Sequence, residues 1–479
     1  MERFSKNLRR AFCDNIERKG INMRTDTIAA IATAMSSSGI GIVRISGDEA
    51  VSITEKIFEM KNQKKLSQMP THTIHYGHIH DGDEVIDEVM VLLMKGPKSY
   101  TREDTVEIDC HGGVYVMKRI LETVIKYGAR PAEPGEFTKR AFLNGRIDLS
   151  QAESVIDVIH SKNEFALKSS LSQLSGSVSQ KIKEIRGTVL HEIAFIESAL
   201  DDPEHISLEG YPKQLSGTVS EVVKKIEKLL ANSDNGKMLK EGISTVIVGK
   251  PNAGKSSLLN TLVGEEKAIV TDIAGTTRDV LEEQINLNGI LLNIIDTAGI
   301  RDTEDVVEKI GVERAKKYLN DADLVIYVVD TSTKLDENDY DIMELLKDRH
   351  AIILLNKSDL NPVTTVEDVK EHLDKKMISI SAKEQTGIDE LEETIKEMFF
   401  SGEVTFNDEV YITNVRHKTA LQEALRSLHL VLQSIEDEMP EDFYSIDLMN
   451  AYEELGTIIG ESVEDDLVNE IFSKFCMGK

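Results

Sequence analysis

One octapeptide restricts the fold of this chain more than any other feature of its sequence. Residues 249–256 read GKPNAGKS, the pattern G-x-x-x-x-G-K-S, and lie between an apolar run at 245–248 and a helix-like segment at 257–263. A glycine-rich loop between a strand and a helix lets backbone N–H groups surround a phosphate, and the helix N-terminus adds its dipole. The sequence therefore predicts a phosphate-binding loop at the edge of an α/β sheet.

The residues of this loop have distinct predicted tasks. The ammonium of Lys255 reaches the β- and γ-phosphate oxygens, and the hydroxyl of Ser256 binds Mg²⁺. The loop residues predicted to contact the nucleotide are Asn252, Ala253, Gly254, Lys255, Ser256 and Ser257.

Three further polar blocks each come directly after a short apolar run: DTAG at residues 296–299, NKSD at 356–359 and SAK at 381–383. The carboxylate of Asp359 can accept from both N1–H and the exocyclic amine of guanine, a pair that adenine does not offer. Four blocks in this order and spacing resemble the Ras-like G proteins, so we expect a GTP site. The nucleotide-binding residues predicted in these blocks are Asp296, Thr297, Ala298, Gly299, Asn356, Lys357, Asp359, Ser381, Ala382 and Lys383.

One position departs from the Ras-like pattern. Residue 300, directly after DTAG, is Ile, where Ras-like proteins carry a glutamine that orients the attacking water. An aliphatic side chain cannot orient water, so this task must belong to another residue.

A polar loop at residues 271–279 lies where a switch segment is expected. Within it, Thr277 is the predicted second hydroxyl ligand of Mg²⁺. Arg278 is either an arginine finger or a solvated residue in a salt bridge, and the sequence favours neither. The nucleotide-binding residues predicted in this loop are Thr271, Asp272, Ile273, Ala274, Gly275, Thr276 and Thr277.

The whole chain is predicted to be multidomain, with the Ras-like α/β P-loop domain inserted into a helical one. The expected parts are an extension at 1–22, an α+β domain at 23–144, a discontinuous helical domain at 145–240 and 403–479, and the P-loop domain at 241–402. The extension is an over-extended start, a loose tail or a targeting peptide. Ser150 and Glu153 have capping-box spacing and predict the start of the first long helix.

A stripe of apolar residues near the end of the chain has two interpretations. It packs on the earlier helical tract, or it forms a coiled-coil seam between two chains; we expect the first. The stripe consists of Leu421, Leu425, Leu428, Leu432 and Ile435.

Charge and cysteine content narrow the possible partners. The chain has 56 basic and 84 acidic side chains, a formal net charge of −28. Proteins that bind nucleic acid alone usually carry the opposite sign, so any RNA must be held jointly with a partner. Three cysteines cannot make a disulfide framework, and no apolar run approaches the roughly 18 residues of a spanning helix. We expect a cytoplasmic protein with no membrane contact.

Further motifs resemble those of the MnmE (TrmE) family of tRNA-modifying GTPases. They are GIGIVRISG at 39–47, PGEFTKRAFLNG at 134–145, AGTTRD at 274–279 and CMGK at 476–479. The resemblance covers residues 23–479. It implies that the N-terminal domain binds folate and forms a homodimer.

The resemblance also implies a reaction. Family members work with an FAD-dependent partner, MnmG, in a heterotetramer. They install an aminomethyl-type (carboxymethylaminomethyl) group on carbon 5 of the wobble uridine of certain tRNAs. The implied cofactors are GTP, Mg²⁺, K⁺ and a tetrahydrofolate derivative in the 5-formyl or 5,10-methylene form, with FAD on the partner only.

Motif matching carries the family's folate contacts to four residues, Arg44, Glu107, Arg146 and Lys479. Cations suit the glutamate tail of the folate, and a carboxylate suits the pterin amines. From the sequence alone, Arg44 would more often be a residue in a salt bridge at a strand edge. Cys476 belongs to the same implied site, as a nucleophile, as a thiolate near Lys479 or as a small apolar contact.

The resemblance also implies which groups provide the positive charge near the phosphates and orient the attacking water, roles that Arg278 and Ile300 leave open. The family's G domains dimerise across the nucleotide with a K⁺ ion near the phosphates. The implied K⁺ ligands are Asn252, Thr271, Ile273 and Thr276, and the implied water-positioning acid is Glu308. Without the family, Glu308 would as readily lie on a solvated face.

Two rival functions remain open at this stage. A ribosome-assembly GTPase switch would carry an appended basic RNA-binding module, whereas residues 402–479 are acidic and helical in pattern. A GTP-gated scaffold without one-carbon chemistry is the other rival, and binding of a reduced folate would distinguish it.

Overall fold

The computed structural model describes residues 26–60, 63–231, 233, 238, 240–264, 283–287, 289–295, 322–400, 412–461, 468, 471–472, 475 and 478. The chain forms two compact units, one of residues 1–153 with 463–479 and one of residues 154–462. The predicted extension at 1–22 lies outside the described residues.

The first unit is built on a seven-stranded sheet in the order β3-β4-β5-β6-β2-β1-β7. Adjacent strands of this sheet are antiparallel, except for the parallel pair β1–β7. The strands are β1 Ile28–Ile31, β2 Gly41–Ser46, β3 Phe58–Met60, β4 Thr73–Asp81, β5 Glu84–Met94, β6 Thr105–Cys110 and β7 Arg130–Pro131. Helices α1 Ala50–Ile57 and α2 Val114–Lys126 cover the sheet, and α3 Glu136–Leu143 follows β7.

Along residues 43–46 of β2, buried apolar side chains alternate with polar ones, so the sheet here has an apolar face against the core and a polar opposite face. Val43 and Ile45 are fully buried, while Arg44 between them points to the other face and is half-buried. Successive side chains of a strand point to opposite faces, so Arg44 and its cross-strand neighbour Glu107 on β6 share one face.

The second unit contains a six-stranded sheet in the order β13-β12-β11-β8-β10-β9, parallel except for the antiparallel pair β9–β10. Its strands are β8 Ile243–Val248, β9 Glu283–Leu287, β10 Ile290–Ile294, β11 Leu324–Asp330, β12 Ala351–Asn356 and β13 Lys376–Ser379. Its helices are α8 Lys255–Gly264, α9 Glu337–Leu346, α10 Val366–Lys370 and α11 Ile388–Phe400. Every residue of β11 and β12 is buried, because parallel strands are covered on both faces. The predicted P-loop α/β fold is confirmed.

Helices from both ends of the second unit share one hydrophobic core. The helices that share this core are α6 Ser177–Asp201, α7 Tyr211–Ala231, α12 Val415–Glu436 and α13 Glu441–Ile459. Two shorter helices, α4 Leu149–Ile159 and α5 Glu164–Leu174, precede them in the chain. Leu421 and Leu428 of α12 are fully buried with Ile182 of α6 and Leu215 of α7. The heptad-like stripe therefore packs on the earlier helices, as expected, rather than forming a seam between chains.

The predicted cap of α4 is wrong. The helix begins at Leu149, so Ser150 lies inside its first turn. The cap is Asp148, whose carboxylate accepts from the Gln151 N–H at 3.1 Å, while the Gln151 side chain accepts from the Asp148 N–H at 3.1 Å. The Ser150 hydroxyl donates to the same Asp148 carboxylate at 2.7 Å. Asp148 and Gln151 are also three residues apart, and each side chain satisfies the backbone N–H of the other, which is the capping-box arrangement two residues earlier than predicted.

None of the helices in the described part of the chain is both long and apolar enough to cross a membrane.

We expect Leu428→Ala to destabilise the helical core by about 2–5 kcal/mol, because it leaves a cavity at a fully buried site. Leu430→Ala on the same helix is the matched control, since Leu430 is 48% exposed and its truncation should cost less than about 0.5 kcal/mol. Hydrogen–deuterium exchange of the α12 amides measures the difference within the full chain. Exchange that is equally fast in the two variants would contradict the packing of α12.

Candidate functional site

The loop after β8 has the backbone geometry of a phosphate-binding loop. Asn252 and Gly254 have φ values of +61° and +99°, and α8 begins at the next residue, Lys255. A Cβ on Gly254 would lie 2.1 Å from Nδ2 of Asn356, so only glycine fits there. Left-handed residues turn successive N–H groups toward a common point, which makes a concavity for anions.

The ammonium of Lys255 lies across this loop. Its Nζ donates to the carbonyls of Gly249 at 2.6 Å and Lys250 at 2.8 Å. Ser256 and Ser257 follow in the exposed first turn of α8, where the helix dipole favours an anion. The six loop residues predicted to bind nucleotide, Asn252 to Ser257, are thus brought together at one end of one helix.

The predicted guanine reader is joined to the phosphate loop by the side-chain amide of Asn356. Asn356, which is 2% exposed, donates from Nδ2 to the carbonyl of Ala253 at 2.8 Å and accepts at Oδ1 from the N–H of Ala382 at 3.1 Å. A second hydrogen bond connects α8 to the 381–383 loop, since the Thr261 hydroxyl donates to the Ala382 carbonyl at 2.9 Å. The loops at 249–254, 356–359 and 381–383 therefore form one frame.

Asp359 has the charge state that guanine recognition needs. Its carboxylate accepts from the Ser381 hydroxyl at 2.7 Å. This hydrogen bond, together with the charges of Lys383 and Lys357, holds the pKa of Asp359 below its ordinary value. The exposed carboxylate is therefore ionised at neutral pH and can accept from two donors.

The partner of Lys357 was not predicted from the sequence. Asp330, the last residue of β11, accepts from the Lys357 ammonium at 2.5 Å. Although burial raises the pKa of Asp330, hydrogen bonds from Lys357 and Ser332 lower it overall. The position of Asp330 at the carboxyl end of a buried strand was the available signal, because such ends meet at the ligand edge of the sheet.

A second group that was not predicted is an ion-pair cluster between the phosphate loop and the start of α9. The Lys250 ammonium contacts Asp339 Oδ2 at 2.6 Å and Asp336 Oδ2 at 2.9 Å, at the first turn of α9. Asp339 is 1% exposed and also accepts from the Tyr327 hydroxyl at 2.8 Å. Burial opposes the charge on Lys250, but the two carboxylates raise its pKa overall. This pair joins the phosphate loop to α9.

The residues predicted to bind folate lie in the first unit. Arg44 Nε donates to Glu107 Oε1 at 2.6 Å, and Arg44 Nη1 donates to the carbonyl of Gly478 at 3.1 Å. Tyr100 lies beside both cations, since its ring centroid is 5.5 Å from the guanidinium carbon of Arg44 and 4.4 Å from that of Arg146. Arg44, Glu107 and Arg146 are therefore brought together.

The salt bridge of Arg44 is present, but not at a strand edge. Strand β2 lies between β6 and β1, inside the sheet. Arg44 and Glu107 are 14% and 15% exposed, and they are direct partners in the register of β2 and β6. The ion pair therefore lies largely buried inside the sheet, and each side chain keeps a small exposed fraction.

Several predicted site residues lie outside the described part of the chain, and their predictions stay as they are. They are Thr271, Asp272, Ile273, Ala274, Gly275, Thr276, Thr277, Asp296, Thr297, Ala298, Gly299, Glu308, Cys476 and Lys479. The same holds for Arg278 and Ile300.

The sheet, the phosphate loop and the reader joined to it define a P-loop nucleotide-binding protein of the Ras-like type. Comparison with known proteins gives the family. The profile described as "MnmE helical domain" matches residues 149–476, and "GTP-binding protein TrmE N-terminus" matches residues 27–146. This chain belongs to the MnmE family of tRNA modification GTPases.

Individual relatives are similar over nearly their whole length. The tRNA modification GTPase MnmE of Lachnoclostridium phytofermentans is 62% identical over 95% of this chain and 100% of its own. Its namesakes from Alkaliphilus oremlandii and Bacillus pumilus are 51% and 48% identical, again over 95% of this chain and over 99% and 100% of theirs. Among solved structures, Aquifex aeolicus Era bound to GDP.AlF4⁻ is 30% identical over 39% of this chain and 67% of its own, at a TM-score of 0.26, and adds nothing to the assignment.

We expect Asp359→Asn to weaken GTP binding by about 10²-fold or more, because a donor then faces the N1–H donor of guanine. Xanthosine triphosphate, which presents the reversed pattern at position 2, should bind this variant better than it binds the wild type. Titration with fluorescent nucleotides measures both affinities. A variant that keeps tight GTP binding would exclude residues 356–359 as the base reader.

Proposed function

We propose that this protein is a K⁺-activated GTPase that acts with MnmG on tRNA. Together they add an aminomethyl-type (carboxymethylaminomethyl) group to carbon 5 of the wobble uridine, with a one-carbon unit taken from tetrahydrofolate. The observation that carries the GTPase part is the Asn356 amide, which joins a phosphate loop to a carboxylate suited to guanine. Membership of the MnmE family supports the tRNA as substrate.

For GTP, the proposed roles follow from the loop and its helix. Lys255 binds the β- and γ-phosphate oxygens, and the N–H groups of residues 252–257 surround the phosphates. The hydroxyls of Ser256 and Thr277 are the proposed Mg²⁺ ligands; the exposed Ser256 at the start of α8 fits this role, since hard oxygen donors are what Mg²⁺ prefers. Bound Mg²⁺ would neutralise charge on the phosphate oxygens.

Residues of the two switch segments complete the proposed GTP site. In this proposal Asp296 and Gly299 of the DTAG block would serve Mg²⁺ and the γ-phosphate, and Glu308 would position the attacking water. Asp359 and Lys357 bind the guanine, with residues 381–383 closing over the base.

For K⁺, the proposed ligands are Asn252 in the phosphate loop and Thr271, Ile273 and Thr276 in the switch. Asn252 fits this role because it is exposed and its left-handed backbone, at φ +61°, belongs to the rim of the phosphate loop. K⁺ would supply positive charge near the phosphates, in place of an arginine finger. The aliphatic Ile300 supports this proposal, because it cannot assist hydrolysis as the glutamine of Ras-like proteins does.

We expect GTP hydrolysis to depend on K⁺, with Na⁺ a poor substitute. Asn252→Gly should remove the K⁺ response while GTP binding stays largely intact, because glycine keeps the left-handed backbone and removes only the amide. Steady-state phosphate release in KCl and in NaCl at equal ionic strength measures the response. Equal turnover of the wild type in the two salts would contradict the proposal.

For folate, the proposed site consists of Arg44, Glu107, Arg146 and Lys479, with Cys476 beside them. The donor set fits the ligand: guanidinium groups match carboxylates, and the Glu107 carboxylate matches pterin amines. The reduced folate would supply the one-carbon unit. This chain's part is to bind and orient the folate.

Assembly is also part of the proposal. We expect a homodimer through the N-terminal domain and a heterotetramer with MnmG, which carries the FAD. The net charge of −28 opposes contact with a polyanion, so the tRNA is held jointly with MnmG or mainly by it.

We expect removal of residues 476–479 to abolish tRNA modification and weaken folate binding while GTP hydrolysis survives. The truncation removes Gly478, whose carbonyl accepts from Arg44, whereas every residue assigned to hydrolysis lies between Asn252 and Lys383. Mass analysis of the wobble uridine, in a deletion strain complemented with full-length or truncated protein, measures the outcome. Full modification by the truncated protein would rule out a role for the terminus, and full modification in the deletion strain itself would overturn the proposed function.

A further inference from the structure

The ring of Tyr100 faces two guanidinium groups at once. Its centroid lies 4.4 Å from the Arg146 guanidinium carbon and 5.5 Å from that of Arg44. The ring itself is fixed, because its hydroxyl is 2.9 Å from the hydroxyl of the buried Thr138 on α3. A planar guanidinium over an aromatic face keeps its N–H edge pointing outward, so the stacked arginine can still bind an anion.

The turn that carries Arg146 is attached to the segment that carries Tyr100. The Arg102 guanidinium donates to the carbonyls of Asn144 at 3.0 Å and Gly145 at 3.2 Å. In return, Nδ2 of Asn144 donates to the Thr101 carbonyl at 2.7 Å. These contacts fix the backbone next to Arg146, and the position of Arg146 over the ring follows from the fold.

The two arginines differ in how much of their hydrogen-bonding capacity is used. Arg44 donates to Glu107 and to the Gly478 carbonyl. Arg146 is exposed, and within the described part of the chain its guanidinium has the Tyr100 ring as its contact and no carboxylate partner. A cation that is positioned by a ring and left without an anion is suited to the carboxylate of a ligand.

We propose that Tyr100 is a positioning residue that holds Arg146 against the glutamate carboxylate of the folate. Arg44 and Glu107 then serve the remainder of the ligand. The inference rests on the proposed function, since it takes folate as the ligand.

The test compares two ligands by isothermal titration calorimetry on the full-length protein. The first is 5-formyltetrahydrofolate, and the second is 6-methyltetrahydropterin, which has the pterin ring without the glutamate. We expect Tyr100→Leu and Arg146→Met each to weaken 5-formyltetrahydrofolate binding about tenfold, the cost of losing a charged hydrogen bond. The double variant should lose little more than either single one, because both changes remove the same interaction.

Three controls isolate the ring. Tyr100→Phe keeps the aromatic face and should stay within about threefold of the wild type. Tyr115→Leu removes a ring that is 76% exposed in the same domain and should have no effect. Binding of 6-methyltetrahydropterin should be equal in Tyr100→Leu and the wild type, which a general distortion of the site would not leave unchanged.

The outcomes separate this inference from the proposed function. If the wild type does not bind 5-formyltetrahydrofolate, the folate part of the proposed function fails and this inference fails with it. If the wild type binds and Tyr100→Leu binds equally well, only this inference is overturned. Where Tyr100→Leu lowers the melting temperature, Arg102→Met replaces it, since it releases the turn and leaves the ring; unchanged folate affinity in Arg102→Met would also overturn the inference.

Discussion

The nucleotide site depends on the side-chain amide of Asn356. This amide reaches the Ala253 carbonyl, 103 residues earlier, and the Ala382 N–H, 26 residues later. Because it is almost fully buried, its loss would leave a carbonyl and an N–H without partners in a low-dielectric interior. Both functions of the amide are satisfied at once, so the loop for the phosphates and the loops for the base belong to one rigid frame.

Much of the α/β part could be predicted from the sequence because its signals are local. Buried parallel strands are continuous apolar runs, and the loops after them carry their polar residues in short blocks. Asp330 and Asp339 were missed because their partners, Lys357 and Lys250, are 27 and 89 residues away in sequence, and no local pattern records such a contact. The cap of α4 was missed although its signal is local. Asp148 and Ser150 are both candidate N-cap residues, each with a suitable partner three residues later, and spacing alone does not choose between them.

The first unit was predicted less directly. Arg44, Glu107 and Arg146 were identified by family motifs, and residue chemistry alone favoured a plain salt bridge for Arg44. The structure has that salt bridge, half-buried between β2 and β6, next to a ring and a second arginine. A partly buried ion pair contributes little net stability, but removing one partner is costly because the other charge remains. Tyr100 was missed because an isolated aromatic residue in a polar stretch carries no pattern.

The insertion of the P-loop domain has a consequence for synthesis on the ribosome. Gln173 Nε2 donates to the hydroxyl of Thr413, 240 positions later in the chain, and α6 and α7 share their core with α12 and α13. When α6 and α7 leave the ribosome, α12 and α13, which cover their apolar faces, have not yet been synthesised. These faces stay uncovered while the whole nucleotide domain is translated, which takes about 10–50 s at 5–20 residues per second. Chaperone demand during this interval is set by the order of the domains along the chain, and it would persist however stable the finished protein is.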